Sequence, residues 1–284
     1  MTVFRVAAAQ YPIDFLGSFA EYEAKIARWV AEAAEAGAQL LVFPEYFSME
    51  LASLFPDDVY GSLSAQLEAL QGVLGRFLAL FARQAAQHKV YICAGTFPVR
   101  TEAGFRNRAH FFHVDGRVEY QEKLTMTRFE DESWGIGRGA EPRVFDTALG
   151  RLAIAVCYDS EFPLIARRQA ELGAEVLLVP SCTDTVAGYW RVRIGCQARA
   201  LENQCYVVHA STVGAAAWSP AVDVNVGAAA VYTPVDRGFP DDGVLAVGAA
   251  GAPQWVYAEI DTAKIPAVRT NGQVLNFRDW SRNA

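Results

Sequence analysis

Two alternating periods limit what this chain can fold into. Short apolar runs, each ended by Pro, Gly or a polar residue, are separated by longer stretches whose apolar residues recur at helical spacing. Residues 3–9, 40–43, 90–97, 151–157, 176–180, 206–210, 228–232 and 255–260 read as strands. Phe19, Tyr22, Ile26, Trp29, Val30 and Ala33 mark a helix stopped at Gly37. Leu67, Leu70, Leu74, Phe77, Leu78 and Phe81 mark a longer one, and residues 163–172 and 189–204 two more. Asp115-Gly116, between strand-like segments at 108–114 and 117–121, signals a hairpin. The pattern predicts one α/β domain over residues 1–284, with mixed sheets covered by helices. No Pro/Ser-rich linker or charge block divides it, and the Gly/Ala/Pro-rich stretch 212–253 reads as loops with strand-like insertions.

Composition narrows the partners. Lys and Arg number 25 against 32 Asp and Glu, a formal charge of −7. Phosphate binding needs clustered cations, so a nucleic-acid partner is not expected. No apolar run approaches the roughly 18–20 residues that span a bilayer, and a membrane role is not expected either. The opening MTVFRVAAAQYPIDF reads as a strand rather than a signal peptide, which predicts a cytoplasmic location. The five cysteines are odd in number and include no CxxC pair. That argues against a disulfide framework or a Cys-rich zinc site. His110 and His113 form an HxxH pair in a strand-like run, where odd spacing sends the rings to opposite faces. Two structural histidines, rather than a metal site, are the expectation.

Three places put a reactive side chain where an apolar run ends, the edge at which α/β sheets form ligand sites. Glu45 follows Phe43-Pro44; such a Glu is ordinarily the first solvated residue of a loop, but a semi-buried one would have a raised pKa suited to a general base. Lys123 ends the 117–121 run. Alone it reads as a surface charge; beside a thiol it would stabilise a thiolate and an oxyanion. Cys157 closes RLAIAVC ahead of a helix whose positive end would lower a thiol pKa. A Cys–His pair is the rival arrangement, but His209 lies within an apolar run and His88 ends a helix. Glu, Lys and Cys form a chemically complete set without a histidine.

In chain order, FPEYF (43–47), EKLTMTRFE (122–130) and CYDSEFP (157–163) resemble the nitrilase, or carbon–nitrogen hydrolase, superfamily. VAAAQYPI, GAQLLVFPE, LGAEVLLVPS and RALENQCYVV extend the resemblance over nearly the whole chain. It implies a four-layer αββα sandwich, a homodimer or larger homo-oligomer, and no cofactor. It makes Glu45 the base, Lys123 the oxyanion-stabilising lysine and Cys157 the nucleophile, with the Tyr158 N–H as a second oxyanion donor. The implied reaction is hydrolysis of a non-peptide C–N bond in a small amide or N-carbamoyl compound through a thioester. Two departures concern the substrate. Thr125 stands where many members carry His, and 233–238 replaces a late Asp-Pro-x-Gly-like turn. A second glutamate falls between Lys123 and Cys157 in many members; Glu130 matches better than Glu132, with Phe129 as the loop anchor and Glu132 on the solvated side.

Tyr158-Asp159 after the cysteine is similar to the amidase side of the family, where strict nitrilases commonly have Trp-Glu. Tyr46, Trp134, Tyr158, Ser181, Cys182, Thr183 and Asp184 are candidate pocket residues, with ordinary packing an equal reading for Tyr46 and Trp134. Arg128 is a candidate partner either for a substrate carboxylate or for Glu130. A nitrile substrate, an inactive family member serving as a scaffold, and an ammonia donor to a synthetase are the alternatives. The stretches 212–234 and 266–280 are the expected oligomer surface.

Overall fold

The computed structural model describes residues 2–282. In chain order the first half forms β1 (Val3–Pro12), α1 (Phe19–Glu35), β2 (Ala38–Phe43), α2 (Asp57–Tyr60), α3 (Leu63–His88), β3 (Tyr91–Ala94), β4 (Phe97–Thr101), β5 (Gly104–Phe112), β6 (Val118–Glu122) and β7 (Ile136–Gly137). The second half forms β8 (Val144–Thr147), β9 (Gly150–Ile154), α4 (Pro163–Glu171), β10 (Val176–Ser181), α5 (Val186–Asn203), β11 (Tyr206–Ala215), β12 (Val224–Asn225), β13 (Ala230–Tyr232), β14 (Val244–Val247), β15 (Gln254–Asp261), α6 (Lys264–Asn271) and α7 (Asn276–Asp279). Ser18 caps α1 by accepting from the Glu21 N–H, and Thr185 caps α5 by accepting from the Gly188 N–H.

The strands make one ladder with the main order β4-β5-β3-β2-β1-β11-β10-β9-β8. Its halves meet where Gln10–Pro12 pair in parallel with Ser211–Val213, while β15 runs antiparallel along β1 from Val3 to Gln10. The ladder curls strongly. Phe111 of β5 and Phe145 of β8, near its opposite ends, stack with ring centroids 5.1 Å apart. The period-2 alternation of β1 builds two cores. Val6 and Ala8 face the interior of the curl, with Ile154 and Leu177; Ala7 and Ala9 face α1 and α3, with Tyr22, Ile26 and Phe77. The two histidines of the HxxH pair do face opposite ways. His110 packs near Phe77, and His113 contacts Phe111 and lies 2.6 Å from Glu119.

Three readings are corrected. The run 90–97 is two strands, broken at Gly95-Thr96. The strand expected to carry Cys157 stops at Ile154, and Cys157 opens a 3₁₀ turn, Cys157–Glu161, set between strand and α4. The stretch 212–234, expected to offer apolar surface, buries Val213, Ala216, Val222 and Ala228–Tyr232 within its own chain. These residues complete the two cores, while Val224 of the same stretch stays 45% exposed.

The parallel strands end on one edge. Glu45 follows β2, Cys157 follows β9 and Cys182 follows β10. Gly95 sets the first of these turns. Its φ is +48°, and a Cβ there would fall 1.9 Å from the Pro44 carbonyl oxygen and 2.7 Å from Phe47 Cδ1. Only glycine lets the two segments pass this closely. Gly95→Ala is expected to lose about 1–3 kcal/mol, the usual overpacking cost, read as a lower denaturant midpoint. An unchanged midpoint would show that the Pro44 turn is not held by this contact.

Candidate active site

Lys123 is the centre of the site. Its backbone N–H bonds the Asn107 carbonyl at 2.8 Å, which ties the end of β6 to β5. Its ammonium donates to Glu45 Oε1 at 2.8 Å and to Glu130 Oε2 at 2.6 Å, and all three side chains are buried. Asn107 Nδ2 donates to both carboxylates, at 2.8 Å to Glu45 Oε1 and 3.2 Å to Glu130 Oε1. The Tyr46 hydroxyl donates to Glu130 Oε1 at 2.7 Å, and the Thr127 N–H and hydroxyl both donate to Glu130 Oε2 at 2.9 Å. Glu45 Oε2 accepts the Cys182 N–H at 3.1 Å.

This distribution of donors separates the two carboxylates. For Glu45, burial outweighs Lys123, and Glu130 adds to it, so its pKa is raised. For Glu130, burial is overcome by Lys123, Thr127 and Tyr46, and its pKa is lowered. Burial alone would push Lys123 down, but Glu130 and Glu45 hold it well above its usual value, so it stays charged.

Cys157 sits beside this cluster with φ +48°, a left-handed conformation uncommon for a residue with a Cβ. Tyr46, after Glu45, has φ +54°. The other two non-glycine residues of this kind, Lys89 and Gln204, are helix C-caps, where the conformation is common. At Tyr46 and Cys157 it turns the chain sharply at a strand end and aims a reactive group into the cavity. Burial first, then Glu45, pushes the thiol well above its usual pKa, with Lys123 opposing. The thiol lowered by the following helix, expected from the sequence, is therefore corrected: the 3₁₀ turn separates Cys157 from α4, and desolvation wins.

Asp159 joins the Cys157 turn to the Lys123 segment. Its buried carboxylate accepts the N–H groups of Thr125 at 2.7 Å, Leu124 at 3.0 Å and Val156 at 3.3 Å. Burial raises its pKa to about 7 against those bonds.

A cavity of about 560 Å³ opens in front of the thiol. Tyr46, Trp134, Tyr158, Cys182, Thr183 and Asp184 line it. Several of these polar ends already have protein partners. The Trp134 Nε1–H bonds the Leu63 carbonyl, the Thr183 hydroxyl bonds the Val226 carbonyl, and the Tyr46 ring lies 4.7 Å from the Trp134 ring. Ser181 is not part of the lining. As the last residue of β10 it is fully buried and pairs with Ser211 of β11, so its assignment to substrate is corrected. Arg128 does not orient Glu130; it is exposed and pairs with Glu132 at 2.8 Å. Phe129 lines the cavity but is 40 % exposed, so it does not anchor the loop; Trp134 does. Asn107, Thr127, Glu161 and Arg191 were missed. Asn107 had a signal, being a polar residue on the face of β5 that Ala109 and Phe111 bury.

The description "Carbon-nitrogen hydrolase" belongs to the family whose profile matches residues 5–269. The chain belongs to the carbon–nitrogen hydrolase family. The chain is 34% identical over 279 residues to the probable hydrolase YhcX of Bacillus subtilis, covering 98% of this chain and 54% of that protein. The chain thus spans about half the length of that relative. It is 25% identical over 303 residues to the omega-amidase NIT2 of Homo sapiens, covering 98% and 95%. In fold it is similar to Saccharomyces cerevisiae Nit3, a member of branch 10 of the nitrilase superfamily, with a TM-score of 0.73 at 21% identity over 94% and 93% of the two chains. Among the described residues no group of His, Cys, Asp and Glu is placed to hold a metal ion, and no helix is long and apolar enough to cross a membrane.

The two glutamates of 130–132 make a sharp comparison. Glu130 is buried against Lys123, and Glu132 is exposed against Arg128. Glu130→Gln is expected to lower kcat/KM on any accepted amide by about 10²–10³ with the fold intact, since it removes a charge from a dry site. Glu132→Gln should leave it within about twofold, as a surface change does. The reverse ranking would assign the second carboxylate to Glu132.

Proposed function

We propose that this chain hydrolyses a non-peptide C–N bond of a small amide or N-carbamoyl compound through a Cys157 thioester. The observation that carries the reading is the buried Glu45–Lys123–Glu130 network beside a thiol whose pKa is raised. Such a thiol does not ionise unaided at neutral pH, so it needs an adjacent base, and Glu45 has the raised pKa of a proton carrier. Cys157 Sγ attacks the carbonyl carbon as its proton passes to Glu45. The oxyanion takes hydrogen bonds from the Lys123 ammonium and the Tyr158 N–H. Glu45 returns the proton to the leaving nitrogen, and ammonia or an amine departs. Water then attacks the thioester, giving a proton to Glu45. Collapse of this second intermediate releases the acid and restores the thiol. Glu130 stays ionised throughout and holds Lys123 and Asn107 in place.

The omega-amidase relatives favour an amide over a nitrile. The reading takes residues 1–284 as one catalytic domain. It takes the two halves of the curled ladder as the facing inner layers of an αββα sandwich, supported by the Phe111–Phe145 stack between them.

The test is ammonia release from a panel of small amides, carbamoyl compounds and nitriles. Wild type is expected to turn over at least one amide or carbamoyl compound, and Cys157→Ala to fold and be inert, while Cys196→Ala and Cys205→Ala stay active. Substantial hydrolysis by Cys157→Ala would sink the mechanism.

Self-association is proposed through α5. Val186, Trp190, Ile194 and Leu201 recur along it and are 44–62 % exposed, an apolar stripe a soluble helix ordinarily buries. Light scattering at micromolar concentration should give a dimer or larger assembly for wild type and a smaller species for Trp190→Glu. A monomeric wild type would overturn the proposal.

A further inference from the structure

The chemistry-bearing end of the cavity accounts for the amide but not for the rest of the substrate. The cavity is larger than a minimal amide needs, and its mouth carries three carboxylates against two guanidinium groups. Glu161, Asp184 and Asp223 line it against Arg128 and Arg191. Arg128 is already engaged. Its guanidinium holds Glu132 through two hydrogen bonds, at 2.9 Å and 2.8 Å, with its side chain 89% exposed. Behind the mouth, Glu45 and Glu130 outnumber Lys123. A substrate with a free carboxylate would meet an excess of carboxylates from mouth to thiol.

Glu161 stands out among these groups. It ends the 3₁₀ turn that Cys157 begins. At about 2 Å of rise per residue, that turn sets its Cα roughly 8 Å from that of the nucleophile. Its side chain is 21% exposed, and its one ion-pair partner, Arg191, has Nε at 3.7 Å and a side chain 62% exposed. That distance is beyond hydrogen-bonding range. No hydrogen bond reaches the Glu161 carboxylate among the described residues. An ionised carboxylate offers about four acceptor positions, and a half-buried one left this open loses hydration without regaining it from the protein. Burial accordingly raises its pKa, with Arg191 and Lys123 opposing. Asp184 and Asp223 lie in more exposed positions and add to the same field.

Resting on the hydrolase reading above, we propose that the preferred substrate is an amide whose far end carries a cation, an ammonium or guanidinium separated from the amide by a short methylene chain, and that Glu161 is the specificity-determining acceptor for it. Tyr46, Trp134 and Phe129 supply the apolar wall along which the methylenes lie, and Glu161 completes the contact by a charge-assisted hydrogen bond. The class this disfavours is the mono-amide of a dicarboxylate.

The test uses three amides of equal chain length: pentanamide, its terminal-ammonium analogue and its terminal-carboxylate analogue. Ammonia release gives kcat/KM, and calorimetric titration of Cys157→Ala gives binding without turnover. Wild type should favour the ammonium amide over pentanamide by about ten- to hundredfold, the range of a hydrogen bond to a charged group, with the difference mainly in KM. The carboxylate analogue should rank last. Glu161→Gln should bring the ammonium-to-neutral ratio close to one, and Glu161→Arg should move the preference to the carboxylate. Equal use of ammonium and neutral amides, preference for the carboxylate, or a ratio unchanged in Glu161→Gln would overturn the proposal. Binding separates it from the reading beneath it. If none of the three is hydrolysed but Cys157→Ala binds the ammonium amide more tightly in a Glu161-dependent way, the specificity assignment stands and the hydrolase reading fails.

Discussion

A lysine ammonium held between two carboxylates in a dry interior is costly to build. Each of these ions loses several kcal/mol of hydration on burial, and only close pairing with complete hydrogen bonding offsets it. The surroundings of Lys123 meet that demand from segments far apart in the chain: Glu45 after β2, Asn107 within β5, Glu130 and Thr127 from the segment after β6, and the Cys182 N–H after β10. Removing one member strands the others, so the cluster acts as a single unit. It also fixes where the strand ends lie relative to one another, and therefore where the thiol sits.

The same cluster divides labour between like groups. Glu130 takes donors from Lys123, Tyr46, Asn107 and Thr127 and is held ionised. Glu45 has fewer donors and a raised pKa. Two carboxylates pushed apart in this way suit different tasks, one a fixed charge and the other a proton carrier. Asp159 ties the lysine segment to the turn that carries Cys157, so the two segments are joined by one buried carboxylate. The left-handed backbone at Tyr46 and Cys157, and the close pass at Gly95, are local strain that this network and the two cores hold in place.

Much of this is legible in the sequence. Strand and helix periods were readable because each buried face repeats at a fixed spacing, and Glu45, Lys123 and Cys157 were readable because each breaks that spacing where an apolar run ends. Glu130 was separable from Glu132 by the turn between them. The assignments that failed involve direction or competition. Ser181 lies one residue from the cavity-lining Cys182, but strand alternation turns it into the β10–β11 interior. Arg128 had two attractive carboxylates within reach in sequence, and helical spacing gave it to Glu132.

By itself the sequence determined the α/β class, the order of the main strands and helices and the three strand-end residues, because those follow from local periodicity and its interruptions. Tertiary structure alone decided the rest. The curl of the ladder brings Phe111 onto Phe145, Asn107 between two glutamates, and Glu161 to the mouth of the same cavity as Arg191. It also decided that the thiol is raised rather than lowered, since a pKa depends on burial and on charges contributed by other strands. Such quantities are sums over neighbours distant in sequence, and no single stretch of the chain contains them.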